Sequence, residues 1–190
     1  MAYNKFTVQT ITKNFNLELI ENEVLFKDVK SLKPSPLLIQ LMAQYLPLAH
    51  AIGTEKARSE LLITPLLVEL RKKNPHIFTY FTGCLFDVDK QQGLKGFCDF
   101  IISKQWNAVF LESPVVAVVE AKHNQALCDA IPQCGAEMYA AQLFNQRHNN
   151  PQQVIYGCVT NAFTWCFLKL EQNVLAIDPN YIPLTFAEPH

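Results

Sequence analysis

The chain has 190 residues, a net charge of −1 and 49% hydrophobic against 17% charged residues, enough apolar material to bury one substantial core. That balance provides no global basic field of the kind that grips duplex DNA through many phosphates. No apolar run approaches about 20 residues, and the N-terminus lacks a basic-then-apolar leader, so a single cytoplasmic domain over residues 1–190 is expected, without membrane contact.

Residues 1–29 are polar and alternating enough for an N-terminal strand or hairpin, with Phe6, Val8 and Thr10 on one apolar-leaning face. Ser35 followed by Pro36 marks a helix start, and Pro47 is expected to interrupt that helix. Gly53 ends it, and Thr54 caps the next, whose last turn carries Arg71, Lys72 and Lys73 as the helix dipole favours. Pro65 is expected to kink this second helix. At 3.6 residues per turn, Glu60 shares a face with Ala57, Ile63 and Leu67 and is expected to point to the apolar side. An alternative is an (i, i+4) pair of Glu60 with Lys56, or a solvated set of Glu55, Glu60 and Glu69.

Phe78 to Val88 reads as the first core strand, relaxed into a turn by Gly93 and Gly96. Phe97 to Ser103 is the next strand, and Val115 to Val119 is an apolar run that ends in Glu120-Ala121-Lys122. A helix with Pro132 near its start follows, and Ala136, Ala140 and Ala141 allow it to approach a sheet closely. Val154–Thr160 and Trp165–Leu170 make a hairpin across residues 161–164, and the tail around Asp178 reads as turn and coil. The six cysteines show no C-x-x-C spacing and lie in apolar segments, as a buried set of reduced thiols would.

The chemistry concentrates on the central strands. Alternation along a strand places Glu120 and Lys122 on one face, with Ala121 and His123 on the other, so His123 is given no catalytic role. Asp99 lies one hairpin upstream, beside Glu120. Two carboxylates about 4 Å apart repel by roughly 4 kcal/mol at an effective dielectric of about 20, which asks for a cation between them. Oxygen donors without paired Cys or His favour Mg²⁺ or Mn²⁺ over zinc. A lysine beside such an ion can position or deprotonate a metal-bound water for attack on a phosphodiester. The plain alternative is an exposed ion pair at a strand end in a structural α/β protein.

Asp99, a spacer and Glu120-Ala121-Lys122 after an apolar strand resemble the PD-(D/E)XK nuclease superfamily, over roughly residues 54–170. Cys98 stands where the pattern has proline. The resemblance implies a three-layer restriction endonuclease-like αβββαβ core, a central mixed sheet flanked by helices, with residues 1–53 as an N-terminal extension. It implies that Asp99, Glu120 and the Ala121 carbonyl hold Mg²⁺ or Mn²⁺, that Lys122 is the catalytic lysine, and that Glu60 supplies a further acidic group. Gln133 matches the glutamine of a Gln-x-x-x-Tyr signature on the following helix, where it would bind a substrate phosphate or Lys122, although Glu137 occupies the tyrosine's place. A polar residue in a first helical turn is the other reading of Gln133. The C-terminal stretch "GCVTNAFTWCFLKL" is similar to small stand-alone bacterial, especially cyanobacterial, proteins of this fold. The implied function is a metal-dependent nuclease acting on DNA, as a homodimer by resemblance. The alternative is a nuclease-fold module that binds nucleic acid or a protein partner without turnover.

Overall fold

The computed structural model describes residues 2–122 and 126–185, so the reading of His123 lies outside the described residues. An eight-stranded mixed sheet forms the centre: β1 (Glu18–Ile20), β2 (Thr79–Leu85), β3 (Phe97–Ser103), β4 (Val115–Ala121), β5 (Val154–Thr160), β6 (Thr164–Glu171), β7 (Val174–Ile177) and β8 (Ile182–Pro183). Their order is β1-β7-β6-β5-β4-β3-β2, with β8 paired to β6. The β4/β5 and β1/β7 pairs are parallel and the others antiparallel. The helices are α1 (Val8–Phe15), α2 (Pro36–Ile52), α3 (Glu55–Arg58), α4 (Thr64–Lys73) and α5 (Leu127–Arg147). The chain is therefore α/β, with helices on both faces of the sheet.

Two apolar clusters explain this layering. On one face, Ile11 and Phe15 of α1 and Ala130, Ala136 and Met138 of α5 pack with Ile101, Val118 and Leu168 of the sheet. On the other, Leu38 and Met42 of α2 and Leu62, Ile63 and Leu67 pack with Phe100, Val119 and Cys158. Helix α5 is the crossover between parallel β4 and β5, and small residues let it lie close. A Cβ on Gly157 would overlap Met138 Sδ and meet Cys134 Sγ at 3.1 Å, and one on Gly135 would meet Leu175 Cδ2 at 2.9 Å. Gly157→Val is expected to destabilise the fold by about 1–3 kcal/mol, read as a shifted urea midpoint; an unchanged midpoint would show that α5 is more loosely seated.

Several expectations are corrected. Residues 8–15 form a helix, not a strand, because Thr7 and Thr10 close a reciprocal capping box and Ile11 and Phe15, four apart, fall on one buried face. Pro47 does not interrupt α2: Pro47 and Ala43, whose carbonyl loses its intrahelical partner, are both exposed. Ser35 caps α2 as expected, accepting from the Leu38 N–H at 3.2 Å, and Glu69 accepts from both the Ser35 N–H and hydroxyl, tying α4 to the start of α2. Glu69 is thus a brace between helices. Helix α5 begins at Leu127, which puts Gln133 beyond its first turn. The sheet also gains β7 and β8 beyond the expected hairpin, with β8 inside the segment read as coil. Of the cysteines, Cys98, Cys134, Cys158 and Cys166 are buried, Cys84 is half-buried and Cys128 is exposed; all six are free. Among the described residues no helix is long and apolar enough to cross a membrane.

The largest correction concerns Glu60. Between α3 and α4 the helix widens into a π turn over Ser59–Ile63, which ends two residues before Pro65, so the helix takes in the proline without ending. The extra residue in that turn rotates the apolar face from Ala57 onto Leu62 and Ile63. Glu60 is therefore exposed, and its Oε1 pairs with Lys56 Nζ at 3.1 Å.

Candidate functional site

The site is built where β3, β4 and the second turn of α5 meet. Residues Phe100 and Val119 are the last pair of the antiparallel β3/β4 ladder, and Asp99 and Glu120 are the next residue of each strand beyond it. The hairpin is fixed there by a side-chain bond: the Ala121 N–H donates to Asp99 Oδ2 at 2.8 Å. The Lys122 N–H donates to the Thr160 carbonyl at 2.8 Å, prolonging the parallel pairing of β4 with β5 just past the end of β4. Ala121 is buried on the α2 side of the sheet, which leaves Glu120 and Lys122 facing α5.

On that face Lys122 Nζ lies 2.5 Å from Glu120 Oε1 and donates to Gln133 Oε1 at 3.1 Å. The Gln133 amide in turn donates from Nε2 to Glu137 Oε1 at 3.1 Å. Glu120 and Glu137 are both buried, no N–H reaches the Oε2 atom of either, and the two carboxyls lie within hydrogen-bonding reach of each other, so that one proton can be shared between them. Two acceptors facing low-dielectric surroundings in this way are relieved by a proton or a cation.

The charges respond to this burial. Desolvation, with the nearby Asp99 charge, pushes the Glu120 carboxyl up to about 7 against the opposing pull of Lys122. Burial, reinforced by Glu120, pushes Glu137 well above the usual carboxylate range. Burial also raises Asp99; the Ala121 N–H works against that rise and the Glu55 charge adds to it. Burial alone would lower Lys122, but the Glu120 carboxylate overrides it, so the ammonium is held above its ordinary value. Lys122 thus stays charged at neutral pH.

An open cleft of about 570 Å³ lies beside Asp99, lined also by Glu55, Ser59, Glu60 and Gly83. Gly83 has φ of 56° and open space where a Cβ would stand, so no side chain there obstructs the approach to Asp99. Glu120 is not among the lining residues. The helix contributes acids to this cleft at its exposed rim: Glu60, paired with Lys56, and Glu55, whose charge acts on both Asp99 and Lys122. Sequence reasoning gave Glu55 no site role; its place in the first turn after the Thr54 cap was the available signal.

Glu137 was also missed as a site residue. Its spacing of four from Gln133 and its position among Gly135, Ala136, Met138 and Ala140 marked it as an acid on a buried helix face.

The donor set suits a hard cation. Asp99, Glu120 and the Ala121 carbonyl are all oxygen donors, and Glu120 Oε2 is a buried oxygen that no N–H reaches. Among the described residues no cluster of three or more His, Cys, Asp or Glu side chains has metal-binding spacing. The protein would thus supply two carboxylates and a carbonyl, which fits Mg²⁺ because that ion keeps several of its waters.

No family model and no curated protein matches the chain.

Proposed function

We propose that the chain is a metal-dependent nuclease of the PD-(D/E)XK type that hydrolyses phosphodiester bonds in DNA. The observation that carries this reading is the convergence of Asp99, Glu120 and Lys122 at the ends of adjacent strands, with the lysine held between Glu120 and Gln133. The element order from α4 to β5, a helix, three strands, a helix and a strand, supports a restriction endonuclease-like core.

Asp99, Glu120 and the Ala121 carbonyl would hold Mg²⁺ or Mn²⁺. When bound, the ion supplies a water of lowered pKa and positive charge beside the phosphoryl oxygens. Lys122 orients the reactants. An ammonium has three donors, and with one on Glu120 and one on Gln133 a third is left for the attacking water or a phosphate oxygen. Beside Glu120 the lysine is held protonated, and in that form Lys122 supplies charge and orientation. Gln133 holds the lysine in place. Glu55 and Glu60, on the exposed wall of the cleft, line the approach to Asp99.

Mn²⁺ titration followed by water-proton relaxation tests the metal assignment without requiring turnover. The wild type should bind one ion, and Asp99→Asn should weaken it at least about 10-fold, since a charged donor is replaced by a neutral one. Equal binding by the two proteins would remove Asp99 from the ligand set. One observation favours a second reading, a binding module without turnover: Glu120 is 2% exposed and lies outside the lining of the cleft.

A further inference from the structure

We infer that Glu137 is a positioning residue, which sets the orientation of the Gln133 amide and through it the place of Lys122. The inference rests on the nuclease reading for its kinetic consequence, but its structural content stands by itself.

A glutamine side chain has two ends of opposite character, an acceptor oxygen and a donor nitrogen, related by a half-turn that costs little unless neighbours distinguish them. Gln133 must present its oxygen to Lys122, because an ammonium only donates. Lys122 by itself is a weak lock: it already rests on Glu120 Oε1 at 2.5 Å, and its long stem can turn away. The lock comes from the other end. Gln133 Nε2 donates to Glu137 Oε1 at 3.1 Å, and with any carboxyl proton carried on Oε2, on the Glu120 side, Oε1 accepts where an amide nitrogen would not.

The helix makes the arrangement rigid. Gln133 and Glu137 are four residues apart on α5, one above the other on the face turned to the sheet. Glu137 is 0% exposed between Ala136 and Met138, which are equally buried, so its rotamer is fixed by packing. Lys122, by contrast, sits past the last residue of β4 and needs an external support. The chain Lys122–Gln133–Glu137 provides that support from the interior of a 21-residue helix.

The position has a chemical logic that a merely filling residue would not satisfy. An apolar side chain of similar volume would pack among the alanines and would remove the buried Oε2 that no N–H reaches. A carboxyl group there is costly for stability, and what it returns is the hydrogen bond to Gln133 on one side and contact with the Glu120 carboxyl on the other.

The test compares Glu137→Met, which keeps volume and removes the acceptor, with Glu137→Gln, whose amide oxygen restores it. Gln133→Leu breaks the same chain nearer the lysine. In nuclear magnetic resonance spectra, the Gln133 side-chain amide and the Lys122 ε-methylene should be shifted from free values in the wild type and in Glu137→Gln. Both should move toward free values in Glu137→Met, and the lysine signal should do so in Gln133→Leu. In cleavage, Glu137→Met and Gln133→Leu should lower kcat about 10–100-fold with KM little changed, and Glu137→Gln should recover most of the loss.

Unmoved Gln133 and Lys122 signals in a folded Glu137→Met protein would overturn the inference, as would failure of Glu137→Gln to restore them. A wild type that cleaves nothing would count against the nuclease reading alone, since the spectra decide the positioning role without turnover.

Discussion

Lys122→Ala is expected to lower metal-dependent cleavage by about 10²–10⁴-fold while the chain still unfolds cooperatively. The catalytic part follows from the three donors of the ammonium: alanine removes the only one free to meet substrate, together with the positive charge opposite Glu120. The structural part depends on pH. Removing one partner of a buried ion pair costs about 3–5 kcal/mol when the remaining charge cannot be relieved. Glu120 can be relieved by protonation, because burial and Asp99 already push its carboxyl up to about 7. Without Lys122 that value rises further. The variant should therefore lie near the wild type in stability at pH 6 and fall behind it at pH 8. Urea unfolding at the two pH values, beside single-turnover cleavage at each, checks both halves. A variant equally unfolded at both would make Lys122 structural first and catalytic second.

Glu137→Gln is expected to make the protein more stable than the wild type above neutral pH, measured in a chelator so that no divalent ion competes for the carboxylates. Burial holds the Glu137 carboxyl well above its unfolded value. Between the unfolded and folded values the native state therefore binds a proton that the unfolded chain has released, and stability falls as pH rises through that window. The fall is up to about 1.4 kcal/mol per pH unit for each carboxyl that keeps its proton. Glu120 contributes in the same direction over the range between its unfolded value and about 7. Glutamine does not titrate, keeps an acceptor for Gln133 and offers an N–H toward the neighbouring carboxyl. The wild-type curve of urea midpoint against pH should fall steeply on the alkaline side and the Glu137→Gln curve should be flatter. Parallel curves would mean that Glu137 is ionised in the fold.

Glu120 and Lys122 were legible as neighbours on one face of β4 because a strand alternates with a period of two, and β3 spans Phe97–Ser103 as read. The helix starts at Pro36 and Glu55 were legible from Ser35 and Thr54, whose oxygens accept from Leu38 and Ala57 as capping chemistry predicts. Alternation misled at residues 8–15, where the reciprocal Thr7–Thr10 bonds outweigh strand-like patterning. Glu60 was misplaced for a reason no periodicity reveals: one extra residue in the π turn before Pro65 rotates everything upstream. Glu137 was overlooked because an acid on a helix is ordinarily solvent-facing, and only the approach of α5 to β4 and β5 buries it. The polar network around Lys122 is tertiary: its contacts with Glu120 and Gln133 were foreseen, and its continuation to Glu137 was not.

The measurement that tests the central claim most directly is cleavage of single-stranded, duplex and branched DNA and of RNA by the wild type in Mg²⁺ or Mn²⁺, with chelator and Lys122→Ala as controls. Metal-dependent cleavage of DNA that disappears in both controls is expected. No cleavage of any substrate by a folded, metal-binding wild type, or cleavage that survives in Lys122→Ala, would contradict it.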